Sequence, residues 1–192
     1  MTIYEERRAL HADLLDDVAR YVAEASHGPL DLATPCAGWD LAALLSHMVG
    51  QNAGFAAAVG AGSAPEVAYA GPQITPANAV AAWDESAAAL RASFARASPD
   101  DVVHLAELRR DVTAAGALAM QLLDTAVHAW DVATTLGQHY RPSEEVVGLV
   151  HDQARMIAAR GGTPGVFAAP LDETGADAWA DALRLLGRDA AA

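Results

Sequence analysis

Gln121-Leu122-Leu123-Asp124-Thr125-Ala126-Val127-His128-Ala129-Trp130-Asp131 is the stretch on which the reading of this chain turns. Asp124 and His128 stand four residues apart, so on a helix both side chains leave one face, a turn apart. Gln121 comes one turn earlier and Asp131 close to one turn later, which extends a polar stripe. Leu118, Leu122, Val127 and Val132 surround that stripe, and the helix is expected to be buried around much of its circumference. A buried carboxylate without a partner is costly or takes up a proton. A histidine at i+4 relieves part of that cost and a divalent cation relieves more. On this pair alone, an ion pair and a metal site remain alternative readings.

A second helix carries Leu44-Leu45-Ser46-His47-Met48-Val49, in which His47 shares a face with Leu44 and Gln51 and points toward the core. Inward side chains on facing helices are how bundles build ligand sites. Two imidazoles and one carboxylate leave coordination positions open for water and substrate, as catalytic sites do. His47, Asp124 and His128 are therefore the candidate metal ligands. Gln51 either lines the substrate end or is an amide satisfied in the core. Asp131 either accepts a hydrogen bond from a ligand imidazole or is solvated or pairing helices. Trp39 and Trp130 read as packing residues, and Cys36 as a small buried residue with no cation nearby to activate it. His11, His27, His104, His139 and His151 lack comparable spacing and are expected at the surface.

Outward from these segments the apolar spacing stays helical. Ile3, Leu10, Leu14, Val18 and Val22 share a face in the first helix. The second is expected to open at Asp40 as N-cap and run to about Gly60. Residues 61–75 read as a loop, and Thr75-Pro76 as the N-cap and N1 of a third helix ending near Ala97. Residues 100–113 fit either a short helix or extended chain. A fourth helix is expected over 114–136, closed by Gly137, and a fifth from Ser143 to before Gly161-Gly162. Residues 175–187 form a last short one. The fold expected is all-α, an up-and-down four-helix bundle with extra C-terminal helices. No linker divides the chain, so 1–192 is read as one domain, its core bundle about 1–137 and its additions 138–192.

Composition narrows the function. At 192 residues the chain can bury a large core without a structural metal, so a metal here would be functional. The net charge of −13 comes with no basic block, which argues against nucleic acid and anionic membranes as partners. The sequence contains no lysine, which excludes Schiff-base chemistry and a P-loop lysine. Cys36 is the sole cysteine, fitting a reducing cytoplasm. The N-terminus MTIYEERRAL carries charges where a signal peptide needs apolar residues, and no apolar run approaches the roughly 20 residues of a membrane span.

The segments Thr34-Pro35-Cys36-Ala37-Gly38-Trp39-Asp40 and Leu44-Leu45-Ser46-His47 resemble the N-terminal motif of the mycothiol-dependent maleylpyruvate isomerase family. That family lies within the wider DinB/YfiT-like group of metal-binding four-helix bundles. Val127-His128-Ala129-Trp130-Asp131-Val132-Ala133 resembles its second motif, and Leu185-Leu186-Gly187-Arg188-Asp189 the ending of an actinobacterial branch. The resemblance implies a divalent metal at one end of the bundle, zinc first, with nickel or iron as alternatives. It also implies mycothiol as a thiol cofactor. At the first position of the later ligand pair the isomerase carries Glu and the wider group His; this chain carries Asp124, one methylene shorter than Glu. The function implied is a metal- and thiol-dependent transferase or isomerase acting on a small electrophile, with a homodimer as an admissible assembly. A non-catalytic metal-binding or regulatory bundle, and a non-haem iron oxygenase using the two-His-one-carboxylate set, are the competing readings.

Overall fold

The computed structural model describes residues 1–162 and 167–189. The expected helices form where the sequence supplies caps. Helix α1, Ile3–Ala25, opens with a reciprocal capping box between Thr2 and Glu5. Helix α2, Leu41–Ala61, opens on Asp40, whose carboxylate accepts from the Ala43 amide at 2.8 Å, and closes on Gly62 at φ +80°. Helix α3 is Ala79–Arg96 and α4 is Ala114–Thr135, the latter capped by Thr113. Helix α5, Glu144–Ala158, starts from Ser143, and α6, Ala178–Leu185, from Asp177.

The third helix begins later than Thr75-Pro76 predicts. The Asn78 side chain accepts from the Thr75 amide at 2.7 Å and donates to the Gln73 carbonyl, which ties 75–78 into a turn. Residues 100–113 resolve to extended chain: strands β1, Val102–Leu105, and β2, Arg110–Thr113, pair antiparallel. A 3-10 turn, Ala106–Leu108, joins them and ends on Arg109 at φ +50°.

The described chain divides into two compact units, Met1–Gln138 and His139–Ala192. In the first, α1 and α2 each pack on both α3 and α4, which closes a four-helix bundle. Leu14, Leu15, Leu44, Leu45, Trp83, Leu90, Leu118 and Leu122 fill its centre. The hairpin packs against α2 and α4. A second 3-10 turn, Glu66–Tyr69, lies on α2, where Gly50 and Gly54 leave room for it. A Cβ at Gly54 would fall within the Tyr69 ring, and one at Gly50 against the Tyr69 carbonyl. In the second unit α5 packs on α6, and Arg141 forms a forked pair with Asp177 at 3.0 Å. Among the described residues no helix is long and apolar enough to cross a membrane.

Two expectations about α1 need correction. Ile3 is 70% exposed, and its place on the buried face is taken by Tyr4. His11, expected at the surface, is 2% exposed. It falls in register with Tyr4, Leu14, Leu15 and Val18, lies edge-on to Phe94, and closes the floor of an alanine-rich groove between α1 and α3.

Candidate metal centre

Helix α4 is buried along most of its length, so its polar stripe enters the protein with the apolar residues around it. His128 is 4% exposed and Asp131 0%. The His128 Nδ1 lies 2.9 Å from Asp131 Oδ2, and its Nε2 lies 3.4 Å from Asp124 Oδ1. An ionised carboxylate can only accept, so the Nδ1 proton points at Asp131, and Nε2 is left facing Asp124. Helix α2 brings His47 to the same place, with its ring centroid 5.1 Å from that of His128. One ligand atom from each of His47, Asp124 and His128 lies within 4.8 Å of the others. His47 is half-buried rather than deep in the core, which keeps this point reachable from solvent.

Burial disfavours charge on His128. The Asp124 charge, with hydrogen bonds to Asp124, Asp131 and Cys36, outweighs it and raises the imidazole well above its ordinary pKa. The ring thus lies between two carboxylates that both favour its protonated form. A divalent ion at Nε2 would replace one proton with a larger charge, the exchange expected of a metal-binding histidine.

Asp131 Oδ2 stands behind the imidazole of His128, one of the candidate ligands. Its Oδ2 also receives the Cys36 thiol at 3.0 Å, so the cysteine has a partner that its sequence neighbours did not reveal. Cys36, His128 and Asp131 form a second cluster of metal-capable atoms, on the opposite edge of the same imidazole. Trp39 is more than packing: its ring centroid stands 4.7 Å from that of His47, and the residue is 38% exposed.

Gln51 is not satisfied within the core. One turn along α2 from His47, it donates from Nε2 to Glu107 Oε2 at 2.8 Å. Glu107 sits on the turn of the hairpin, in the segment left ambiguous by the sequence, and nothing local marked it as part of the site. Partial burial raises its pKa; the Gln51 hydrogen bond acts the other way, while the Asp124 and Glu66 charges raise it further. Tyr69, 4% exposed, senses Glu107 as a neighbouring charge, and its own pKa is raised by burial and then by that carboxylate. The Tyr69 hydroxyl and both polar atoms of Gln121 are buried without a hydrogen-bond partner among the described residues.

The helices form an all-α fold of the DinB-like class. Residues 11–133 match the family model described as the mycothiol maleylpyruvate isomerase N-terminal domain, and the chain is a member of that family. Its fold is similar to the crystal structure of mycothiol-dependent maleylpyruvate isomerase, with a TM-score of 0.66 at 20% identity, over 90% of this chain and 80% of that one. A histidine-to-alanine mutant of the same enzyme is similar with a TM-score of 0.66 at 18% identity, over the same shares of the two chains. No curated protein sequence matches this chain significantly.

Proposed function

We propose that this protein is a divalent-metal- and mycothiol-dependent enzyme, an isomerase or transferase acting on a small electrophile. The observation that carries the reading is the convergence of His47, Asp124 and His128 within 4.8 Å, in a member of the isomerase family. The donor set fits a divalent cation. Two neutral imidazoles and a carboxylate suit zinc, with nickel or iron as alternatives, and three protein ligands leave positions for a thiol or water. A cation held there supplies the charge that keeps a coordinating thiol ionised at neutral pH.

The chain's own residues prepare that chemistry. Asp131 holds the Nδ1 proton of His128, which would leave Nε2 free to bind a divalent ion on the Asp124 side. Trp39 lies against one side of the His47 ring and limits how that ring can turn. Gln51 and Glu107 stand on the hairpin side, one turn beyond His47, where an electrophile would meet the thiol. A cytoplasmic location suits the reading, since a lone Cys36 stays reduced there.

The test is turnover of maleylpyruvate, followed by its loss of ultraviolet absorbance, with zinc and mycothiol supplied separately and together. The account expects isomerisation, or depletion of free thiol, only with both. Zinc-loaded protein that neither isomerises nor conjugates with mycothiol present would set the enzyme reading aside.

A further inference from the structure

His128 turns its two ring nitrogens toward two different sets of groups, and the centre proposed above uses only the Nε2 set. On the Nδ1 edge stand Asp131 Oδ2 at 2.9 Å and Cys36 Sγ at 3.8 Å, with 3.0 Å between the sulfur and that carboxylate oxygen. Sulfur, nitrogen and oxygen thus form a closed triangle of ligand-type atoms. Asp131 and His128 are buried and Cys36 is half-buried, so the sulfur-bearing residue is the most exposed of the three. Tetrahedral ligands of one metal ion sit roughly 3.4–3.6 Å apart at ordinary bond lengths. The sulfur–nitrogen edge already has that room, and the other two edges must open by about half an ångström, the step from a hydrogen bond to a shared ion. His128 and Asp131 are fixed three residues apart on α4, whereas Cys36 sits on the loop before α2. Thr34 holds that loop, accepting from the Cys36 amide at 3.1 Å and donating to the Trp39 carbonyl at 2.9 Å.

We propose that Cys36, His128 and Asp131 form a second metal site, selective for a soft, thiophilic cation, and that it and the His47–Asp124 side exclude one another through the shared ring. Thiolate sulfur selects soft cations. Filling the triangle breaks both hydrogen bonds to Asp131. Zinc reaches Nε2 with those bonds intact, and it gains less from sulfur than a softer ion does, so it stays on the His47 side. When the soft ion enters, a sulfur–metal bond forms and the Cys36 thiol proton leaves to solvent. The ring proton passes from Nδ1 to Nε2, where Asp124 Oδ1 accepts it across the 3.4 Å contact. A neutral imidazole has one lone pair to give, so an ion on either edge denies the ring to the other. This goes beyond the enzyme reading: a thiophilic ion held here disables the centre that zinc would occupy.

Cadmium chloride titrated into the zinc-free full chain tests it, followed by the ultraviolet thiolate-to-cadmium charge-transfer band. Cys36 is the sole cysteine, so the band reports this sulfur alone. It should saturate at one equivalent, with no second tight equivalent. Cys36→Ser should abolish it. Asp131→Asn and His128→Ala should weaken cadmium binding at least about tenfold, since even an outer partner of a ligand is worth that much. His47→Ala should keep the band although it no longer holds zinc. Zinc-loaded wild type should release one zinc for each cadmium that produces the band. No band in wild type, its loss in His47→Ala, or unchanged cadmium affinity in His128→Ala overturns the site. Two metal ions bound together on one chain overturn the exclusion. Circular dichroism checks the fold of each variant, and the wild-type band and stoichiometry decide the matter if a variant does not fold. A chain that takes up cadmium in this way and never zinc would sink the zinc-enzyme reading and leave the soft-metal site standing.

Discussion

His11 gives a stability prediction that can be worked through from its surroundings. Burial first, and then the Arg91 charge, lower its pKa to about 3, against a smaller opposing pull from Asp124. The folded chain therefore keeps this imidazole neutral where the unfolded chain, titrating near 6.5, takes up a proton. The stability it contributes is fully present above 6.5 and is lost as pH falls from there toward 3. Between the two values the loss approaches ~1.4 kcal/mol per pH unit, which integrates to about 2 kcal/mol from pH 6 to pH 4. That is a sizeable part of the ~5–15 kcal/mol that holds an ordinary domain together. His11→Gln removes the titration and keeps a polar group opposite Thr125, whose hydroxyl lies 3.5 Å from His11 Nε2. Urea unfolding of both proteins at pH 6, 5 and 4, followed by circular dichroism, separates this slope from that of the carboxylates common to both. The variant should lose about 2 kcal/mol less than wild type over the range, whatever its stability at pH 6. Equal losses would refute a neutral, buried His11.

Other expectations bear on the site and its support. Asp131→Asn keeps the size of the side chain but removes the charge behind His128, and zinc affinity should fall by roughly 10- to 100-fold in competition with a chromophoric chelator. Unchanged affinity would mean that Asp131 only packs. Asp124→Glu keeps the carboxylate and lengthens its reach by one methylene. Zinc affinity within about threefold of wild type is expected, because the longer side chain must reach a point that Asp124 already faces at 3.4 Å from His128. Gly54→Ala drives a methyl group into the Tyr69 ring, and should cost about 1–3 kcal/mol in chemical denaturation.

How much of this could be read in advance varies with the range of the interactions involved. Helix α2 was legible from its cap Asp40, and α4 from its buried spacing and its closing Gly137, because these are local features. The same locality let the Asp124, His128 and Asp131 stripe be read as one face. The start of α3 was misplaced because Thr75-Pro76 carries the right residue types, while Asn78 uses its side chain to hold them in a turn. The hairpin was ambiguous because its strands are four residues each, too short for a periodic signal, and its turn ends on Arg109 where glycine or asparagine would have marked it. Glu107 was missed with it: only the folded hairpin brings its carboxylate to Gln51, 56 residues away in sequence. The Cys36 thiol likewise finds Asp131 across 95 residues. His11 is a different case. Its spacing from Tyr4, Leu14, Leu15 and Val18 places it on the buried face, a pattern distinct from the i, i+4 pairing that marks ligand histidines.

The central claim is that His47, Asp124 and His128 hold one divalent ion, and direct zinc binding tests it. Protein purified without chelators, saturated with zinc and dialysed, should retain one equivalent by elemental analysis. His47→Ala and His128→Ala should retain none, while their far-ultraviolet circular dichroism stays that of the helical wild type. Full zinc occupancy in His128→Ala, or none in wild type, would contradict the account.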